Sequence, residues 1–218
     1  MKFFLEQRNL SDDVANIIRK MIFNGTLKPG ERLNQAQLAE EMNISRGPVR
    51  EALKLLENEG LIKHETNKGT FVTTLSMKDA YEIYTLRALL EGEAALLASA
   101  NITEKDFTRL EELLEELETA FLEKDLEQEA RCDIQFHGTI VQLSKHKRLI
   151  RMHQQLDTQV GAMFLTVANK LPSRASMVVE NHELLIDTLR TRDLQKIKRV
   201  FSEHYVNAVK ALAKQKAD

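Results

Sequence analysis

Tryptophan is absent from this chain of 218 residues, cysteine occurs once, and proline and glycine number only 3 and 8. The single thiol, Cys132, excludes an intramolecular disulfide and a zinc ribbon, and it fits a reducing cytoplasm. Glycine and proline together make up about 5% of the chain, against ~12% in average usage. With aromatics at 6%, that scarcity of breakers points to a mainly helical chain rather than a sandwich or a barrel. No stretch approaches the ~20 apolar residues of a membrane span, and Glu6 follows Met1–Leu5 before a signal-peptide core can form. The expectation is a cytoplasmic protein with no membrane partner. Charge of one sign is also missing, with 31 Lys/Arg against 33 Asp/Glu. Residues 1–74 hold 11 basic and 10 acidic side chains, so any contact with nucleic acid must come from local placement of charge.

Two halves with different patterning follow. In the first, Ser11-Asp12-Asp13 opens a helix carrying Val14, Ile17, Ile18, Met21 and Ile22 at helical spacing, and Asn24-Gly25 closes it. Leu27-Lys28-Pro29-Gly30 is a turn, and a short helix runs from Gln35 to Met42. Ser45 is placed to cap a third helix reaching Glu59, with Pro48 in its first turn and Gly60 after its end. Leu61–His64 and Thr70–Thr74 read as two strands joined by Thr66-Asn67-Lys68-Gly69. Three helices and a hairpin in this space make a winged helix-turn-helix over residues 1–74.

Arg46, Arg50 and Lys54 recur every four residues and form one basic stripe on the third helix, while Val49, Leu53 and Leu56 face the other way. Such a stripe is ordinarily a solvated helix face, but the turn before it and the hairpin after it favour DNA. Ser45 adds a hydroxyl at a helix N-terminus that already suits a phosphate. Arginine at the start of a recognition helix can bond guanine bidentately. Lys68 and Gly69 at the wing tip let the backbone approach the flanking phosphates or the minor groove.

After a linker at 75–78, residues 79–218 read as helices only, at roughly 78–100, 103–124, 125–144, 147–169, 173–191 and 193–214. Short connections imply an antiparallel six-helix bundle. The glutamate-rich stretch Glu111–Glu129 carries Leu110, Leu113, Leu114, Leu117 and Phe121 at helical spacing, so it reads as one solvated face of a packed helix. Periodicity also places Asp133, His137, His182 and His204 on core-facing stripes of three different helices. Each could be hydrogen-bonded separately within the core. A divalent metal would resolve the cost of burying all four at once. His146 and His153, beside Lys145, Lys147, Arg148 and Arg151, read as exposed, and Cys132 reads as packing. Arg87 shares a stripe with Ala80, Ile83, Leu90 and Ala94; its partner is then an internal acid such as Glu91 or Glu180, or a ligand carboxylate.

Residues 10–74 resemble the GntR family of bacterial transcription regulators. The matching residues are Leu27-x-Pro29-Gly30-x-x-Leu33, Leu38-Ala39, Ser45-Arg46-x-Pro48-Val49-Arg50-Glu51-Ala52-Leu53, Leu56, Glu59-Gly60-Leu61-Ile62 and Gly69-x-x-Val72. The resemblance implies that Arg46 and Arg50 read or anchor DNA. Where some members carry a basic residue on the second helix, this chain has Ala36, with Arg32 a weak substitute. Residues 78–212 resemble the all-helical FCD effector domain of the FadR subgroup. Here the signals are Arg87-x-x-Leu90-Glu91, Asp133-x-x-Phe136-His137, Asn181-His182-x-x-Leu185-Ile186-x-x-Leu189 and Phe201-x-x-His204.

The resemblance implies a zinc- or nickel-like ion on Asp133, His137, His182 and His204, zinc foremost with manganese also open, and an organic acid held by Arg87. The whole reads as a ligand-responsive homodimeric repressor on a near-palindromic double-stranded DNA operator. A regulator with the metal ion itself as signal is the alternative. A metal-dependent hydrolase is disfavoured, because no Glu or His is evidently spare as a general base.

Overall fold

The computed structural model describes residues 10–157, 159–163 and 177–214. The chain divides into two compact units, Met1–Thr74 and Leu75–Asp218.

In the first unit, helices α1 (Leu10–Phe23), α2 (Gln35–Glu41) and α3 (Arg46–Asn58) accompany strands β1 (Arg32–Leu33), β2 (Ile62–Glu65) and β3 (Gly69–Val72). Val14, Ala15, Ile18 and Ile22 of α1 are buried with Val49, Ala52, Leu53 and Leu56 of α3, whereas Ile17 is 47% exposed. Removing a fully buried leucine such as Leu56 from a core of this kind costs about 2–5 kcal/mol. Arg19 adds a two-pronged ion pair to Glu59, at 2.9 and 2.6 Å, tying α1 to the end of α3. Asn34 caps α2 through its side chain, and Asn43 turns the chain between α2 and α3 with φ +51°.

Strand β1 was not foreseen from the sequence. It is two residues long, and its existence depends on pairing with β3, where Arg32 lies opposite Phe71 and Leu33 opposite Thr70. The sheet order is β1-β3-β2, all antiparallel. A two-residue strand has no alternation of its own to read.

In the second unit the described helices are α4 (Met77–Ser99), α5 (Glu104–Glu123), α6 (Leu126–Leu143), α7 (Lys147–Asp157), α8 (Val178–Thr191) and α9 (Leu194–Lys214). Each of the first three is opened by a side chain. Ser76 and Asp79, and then Thr103 and Asp106, form capping boxes, and Asp125 accepts from Gln128 N. The first box starts α4 at Met77, inside the segment expected as linker. Lys124 and Arg192 take the left-handed conformation that ends α5 and α8.

Helix α4 packs on α6, α7 and α9, and α5 packs on α6 and α8. Phe107, Leu110, Leu113, Phe136, Ile140, Leu185, Leu189, Ile197 and Phe201 form the shared core. The continuous helix expected at 147–169 instead breaks after Asp157, with a turn at Gln159 and helix again at 160–163. The expected helix at 173–191 is seen from Val178 onward, and its first residues, like the end of the 147–169 segment, lie outside the described residues.

Candidate DNA-binding surface and candidate metal centre

Helix α3 turns its basic stripe outward. Arg46, Arg50 and Lys54 are all exposed, and the buried side of the same helix holds Val49, Ala52, Leu53 and Leu56. Glu51 sits among them, with Oε1 3.3 Å from Arg50 Nε and 3.6 Å from Lys54 Nζ, so two of the three cations carry a local counter-charge. Ser45 occupies the N-cap position with extended backbone, but its hydroxyl does not bond the helix N–H groups as the sequence suggested.

At the wing tip Lys68 is 72% exposed and 3.2 Å from Glu65, whose carboxyl pKa is lowered by hydrogen bonds from Lys63 and Lys68. Gly69 has φ +115°, and a Cβ placed there would meet Arg32 Nε at 3.0 Å. Arg32 is therefore a wing residue, laid across Gly69 by strand β1, rather than a substitute for a second-helix contact.

The second unit buries its charged groups together. Glu91 and Arg87 are each 1% exposed. Glu91 Oε1 accepts from Arg87 Nε at 2.8 Å and from His153 Nε2 at 2.7 Å, and Oε2 accepts from His137 Nδ1 at 2.6 Å. Tyr205 OH is 2.8 Å from both oxygens. Burial pushes the Glu91 carboxyl pKa upward, but His137 and Arg87 outweigh it and hold the group well below the usual carboxylate range. The i, i+4 spacing from Arg87 gave Glu91 as a possible partner, and the structure selects it over Glu180. One arm of the guanidinium, Nη2, remains buried with no hydrogen-bond partner among the described residues.

His153 is a correction. It is 0% exposed rather than a surface histidine, with Nε2 on Glu91 and Nδ1 3.3 Å from Asp157 Oδ2. The basic residues around it hid a usable signal: Leu149, His153 and Asp157 recur every four residues on one helix face. Tyr205 carries the same kind of signal, since Ile197, Phe201 and Tyr205 recur every four residues and all three are buried. His146 is exposed as expected, and Cys132 is buried, its thiol pKa raised chiefly by that burial.

The anticipated constellation does assemble. His137, His182 and His204 offer nitrogens that all lie within 4.8 Å of one another. Asp133 Oδ1 is 3.2 Å from His182 Nε2 and 3.6 Å from His137 Nε2, so it faces the same point from α6. The outer partners decide how these donors are charged. His182 Nδ1 is 2.7 Å from the Val178 carbonyl, which can only accept, and His137 Nδ1 faces Glu91. Both rings therefore carry a proton on Nδ1 and, when neutral, turn a lone pair outward from Nε2.

Those two Nε2 atoms are 3.1 Å apart and share a carboxylate neighbour. Lone pairs cannot converge in this way without a cation between them. In the metal-free protein the cation is a proton. Burial lowers the His137 pKa, but Glu91 and Asp133 more than offset it and raise the group to about 9. Burial together with His137 and His182 keeps His204 neutral, its pKa well below the ordinary value. Three imidazoles and a carboxylate fit a first-row divalent ion, which would replace that proton.

Two family descriptions match this chain: bacterial regulatory proteins of the gntR family over residues 10–72, and the FCD domain over residues 82–207. The chain belongs to the GntR family. It is a DNA-binding transcriptional regulator, not an enzyme. GntR relatives include the HTH-type regulator YdhC of Bacillus subtilis (strain 168), 34% identical over 192 residues, which covers 87% of this chain and 85% of the relative. The gluconate operon transcriptional repressor of Bacillus licheniformis is 31% identical over 185 residues, or 83% and 75% of the two chains. Among solved GntR structures, E. coli McbR/YncC superposes with a TM-score of 0.71 at 29% identity, covering 95% of this chain and 98% of that one. Among the described residues no helix is long and apolar enough to cross a membrane.

Proposed function

We propose that this GntR regulator is a cytoplasmic repressor whose operator affinity is set by a small organic acid bound at a divalent ion. Asp133, His137, His182 and His204 would hold the ion, most simply zinc, with nickel or manganese as the other candidates. The observation that carries this reading is the 3.1 Å approach of His137 Nε2 to His182 Nε2 beside Asp133, with both ring tautomers locked from behind. When bound, the ion supplies a Lewis-acidic position for a carboxylate oxygen. Arg87 would take the other carboxylate oxygen through Nη2, since its Nε is already held by Glu91 and Nη2 has no hydrogen-bond partner among the described residues.

Repression is favoured by the relatives named as repressors of the gluconate operon. A homodimer would set two copies of α3 about one DNA turn, ~34 Å, apart on a near-palindromic operator. Arg46, Arg50 and Lys54 would meet the major groove, Ser45 a phosphate, and Lys68 and Gly69 the flanking backbone. The acid would act by changing the spacing of the two DNA-binding units through residues 73–78, which is a coupling of two equilibria.

The test is metal content by elemental mass spectrometry on tag-free protein never exposed to chelator, followed by operator titrations with and without small carboxylates. About one ion per chain, lost in His182→Ala, together with carboxylate-dependent release from DNA, is the expected result. Release by a chelator alone, with no response to any acid, would make the ion itself the signal. A folded protein without any ion would end the metal-site reading.

A further inference from the structure

The sheet of the first unit has two unlike faces. Leu33, Ile62, Thr70 and Val72 are buried on one of them. Residues directly opposite each other in antiparallel strands share a face, so Arg32, Phe71 and Lys63 form one row across the other. Gly69, two residues before Phe71, lies on that outer face as well, opposite Glu65 and next to the turn at 66–68. Strand β1 ends at Leu33, so no β1 residue pairs with Gly69. The Arg32 side chain leans into that space. Its Nε, Nη2 and Cζ lie 3.0, 3.3 and 3.6 Å from the point where a Cβ on Gly69 would stand. The room that glycine leaves at the wing tip is therefore filled by a guanidinium.

The cations on this face differ in their counter-charges. Lys63 and Lys68 share one carboxylate, that of Glu65, at 2.9 and 3.2 Å. Arg32 is exposed, and its guanidinium has no hydrogen bond or ion pair among the described residues. Holding a long side chain in one place loses rotamer freedom, and contact with a glycine returns little for it. What results is a cation set in position before any anion arrives, which lowers the ordering cost of binding one. A guanidinium offers a planar fork of donors that matches two phosphate oxygens, whereas an ammonium acts as a point charge.

We propose that Arg32 binds a phosphate of the operator backbone beside the wing, as an anchor that carries no sequence preference. This rests on the reading of the wing as a DNA-contacting element. Gly69 serves the contact by seating the guanidinium, and β1 serves it by carrying the arginine to the wing.

The experiment is a binding titration of the full chain over a salt series, on operator and on scrambled DNA of equal length. Parent, Arg32→Ala, Arg32→Lys and Lys68→Ala are compared, with melting curves to show that each variant folds as the parent does. Arg32→Ala is expected to weaken both DNAs by the same factor, about tenfold at about 50 mM salt and about threefold at about 200 mM, with the salt-dependence slope lower by about one. Arg32→Lys keeps the charge without the fork, so it restores the slope and only part of the affinity. Gly69→Ala displaces the guanidinium and is expected to cost less affinity in the Arg32→Ala background than in the parent; additive losses overturn the seating by Gly69. Parental affinity of Arg32→Ala on both DNAs, or a loss confined to the operator, overturns the phosphate assignment. If Lys68→Ala lowers the slope and Arg32→Ala does not, Arg32 alone is removed from the interface. If neither lowers it, the reading of the wing as a DNA contact falls with it.

Discussion

His137 Nδ1 donates to Glu91 Oε2 across 2.6 Å, and this bond, with the 3.7 Å approach of Arg87 Nη1 to Asp133 Oδ2, joins the candidate metal-ligand cluster to the buried arginine of α4. The same carboxylate that fixes the His137 ring also neutralises Arg87. One acid therefore orients a candidate ligand and sets the state of a candidate anchor.

Glu91→Gln keeps the shape and removes the charge. Outer partners of metal-bound histidines are worth ~10–100-fold in metal affinity, and a drop of that size is expected in a competition titration with a chromophoric chelator. The substitution also removes the closer of two ion pairs of buried Arg87, leaving Nη1 with Asp133 Oδ2 at 3.7 Å, so a loss toward the lower end of about 3–5 kcal/mol is expected in urea unfolding. Metal affinity and stability both at the parental level would remove Glu91 from the centre of the network.

Arg50→Ala should leave folding intact, since the Arg50 side chain is 63% exposed and pairs with the neighbouring Glu51. Loss of a base contact on α3 predicts weaker operator binding by about 1–3 kcal/mol, with relaxed preference at one base pair. Lys68→Ala should behave differently, lowering affinity for all sequences and reducing the salt-dependence slope by about one. Mobility shifts over a salt series, on operator and scrambled DNA, separate the two effects.

Gly69→Ala strains the wing twice. The backbone sits at φ +115°, and the new Cβ would approach Arg32 Nε to 3.0 Å. The arginine end can shift, but the backbone angle remains unfavourable, for an expected loss of about 1–2 kcal/mol. Calorimetry should show this loss in the transition of the first unit, while the second unit melts as before.

Glu129, one turn of α6 before Asp133, supplies a pH test. Burial, with Asp125 adding to it, raises its carboxyl pKa from 4.5 to about 7. An acid whose pKa is higher in the folded chain than in the unfolded one holds its proton longer when folded, so it favours folding at low pH. That contribution fades as pH climbs from about 4.5 to about 7. Glu129→Gln should therefore flatten the stability profile over this window and stabilise the protein at pH 8 by roughly 1–2 kcal/mol. Parallel urea titrations at pH 5 and pH 8 give the comparison; an unchanged slope would mean that Glu129 ionises freely.

What the sequence determined by itself was local. The alternation of Val49, Leu53 and Leu56 with Arg46, Arg50 and Lys54 sets the inner and outer faces of α3, because a helix repeats every 3.6 residues whatever surrounds it. Ser76 with Asp79, and Thr103 with Asp106, mark helix starts for the same reason: a cap acts within one turn. Helical phase also sufficed to put Asp133, His137, His182 and His204 on inward stripes.

The tertiary structure decided what depends on residues far apart in the chain. Strand β1 exists through β3, and Arg32 reaches the wing only as a result. His153 finds Glu91 across 62 residues and Tyr205 finds it across 114. Basic neighbours made His153 look exposed, yet its own helix phase and a buried carboxylate draw it inward. Whether a charged side chain is buried depends on the counter-charge that meets it there, and packing alone supplies that partner.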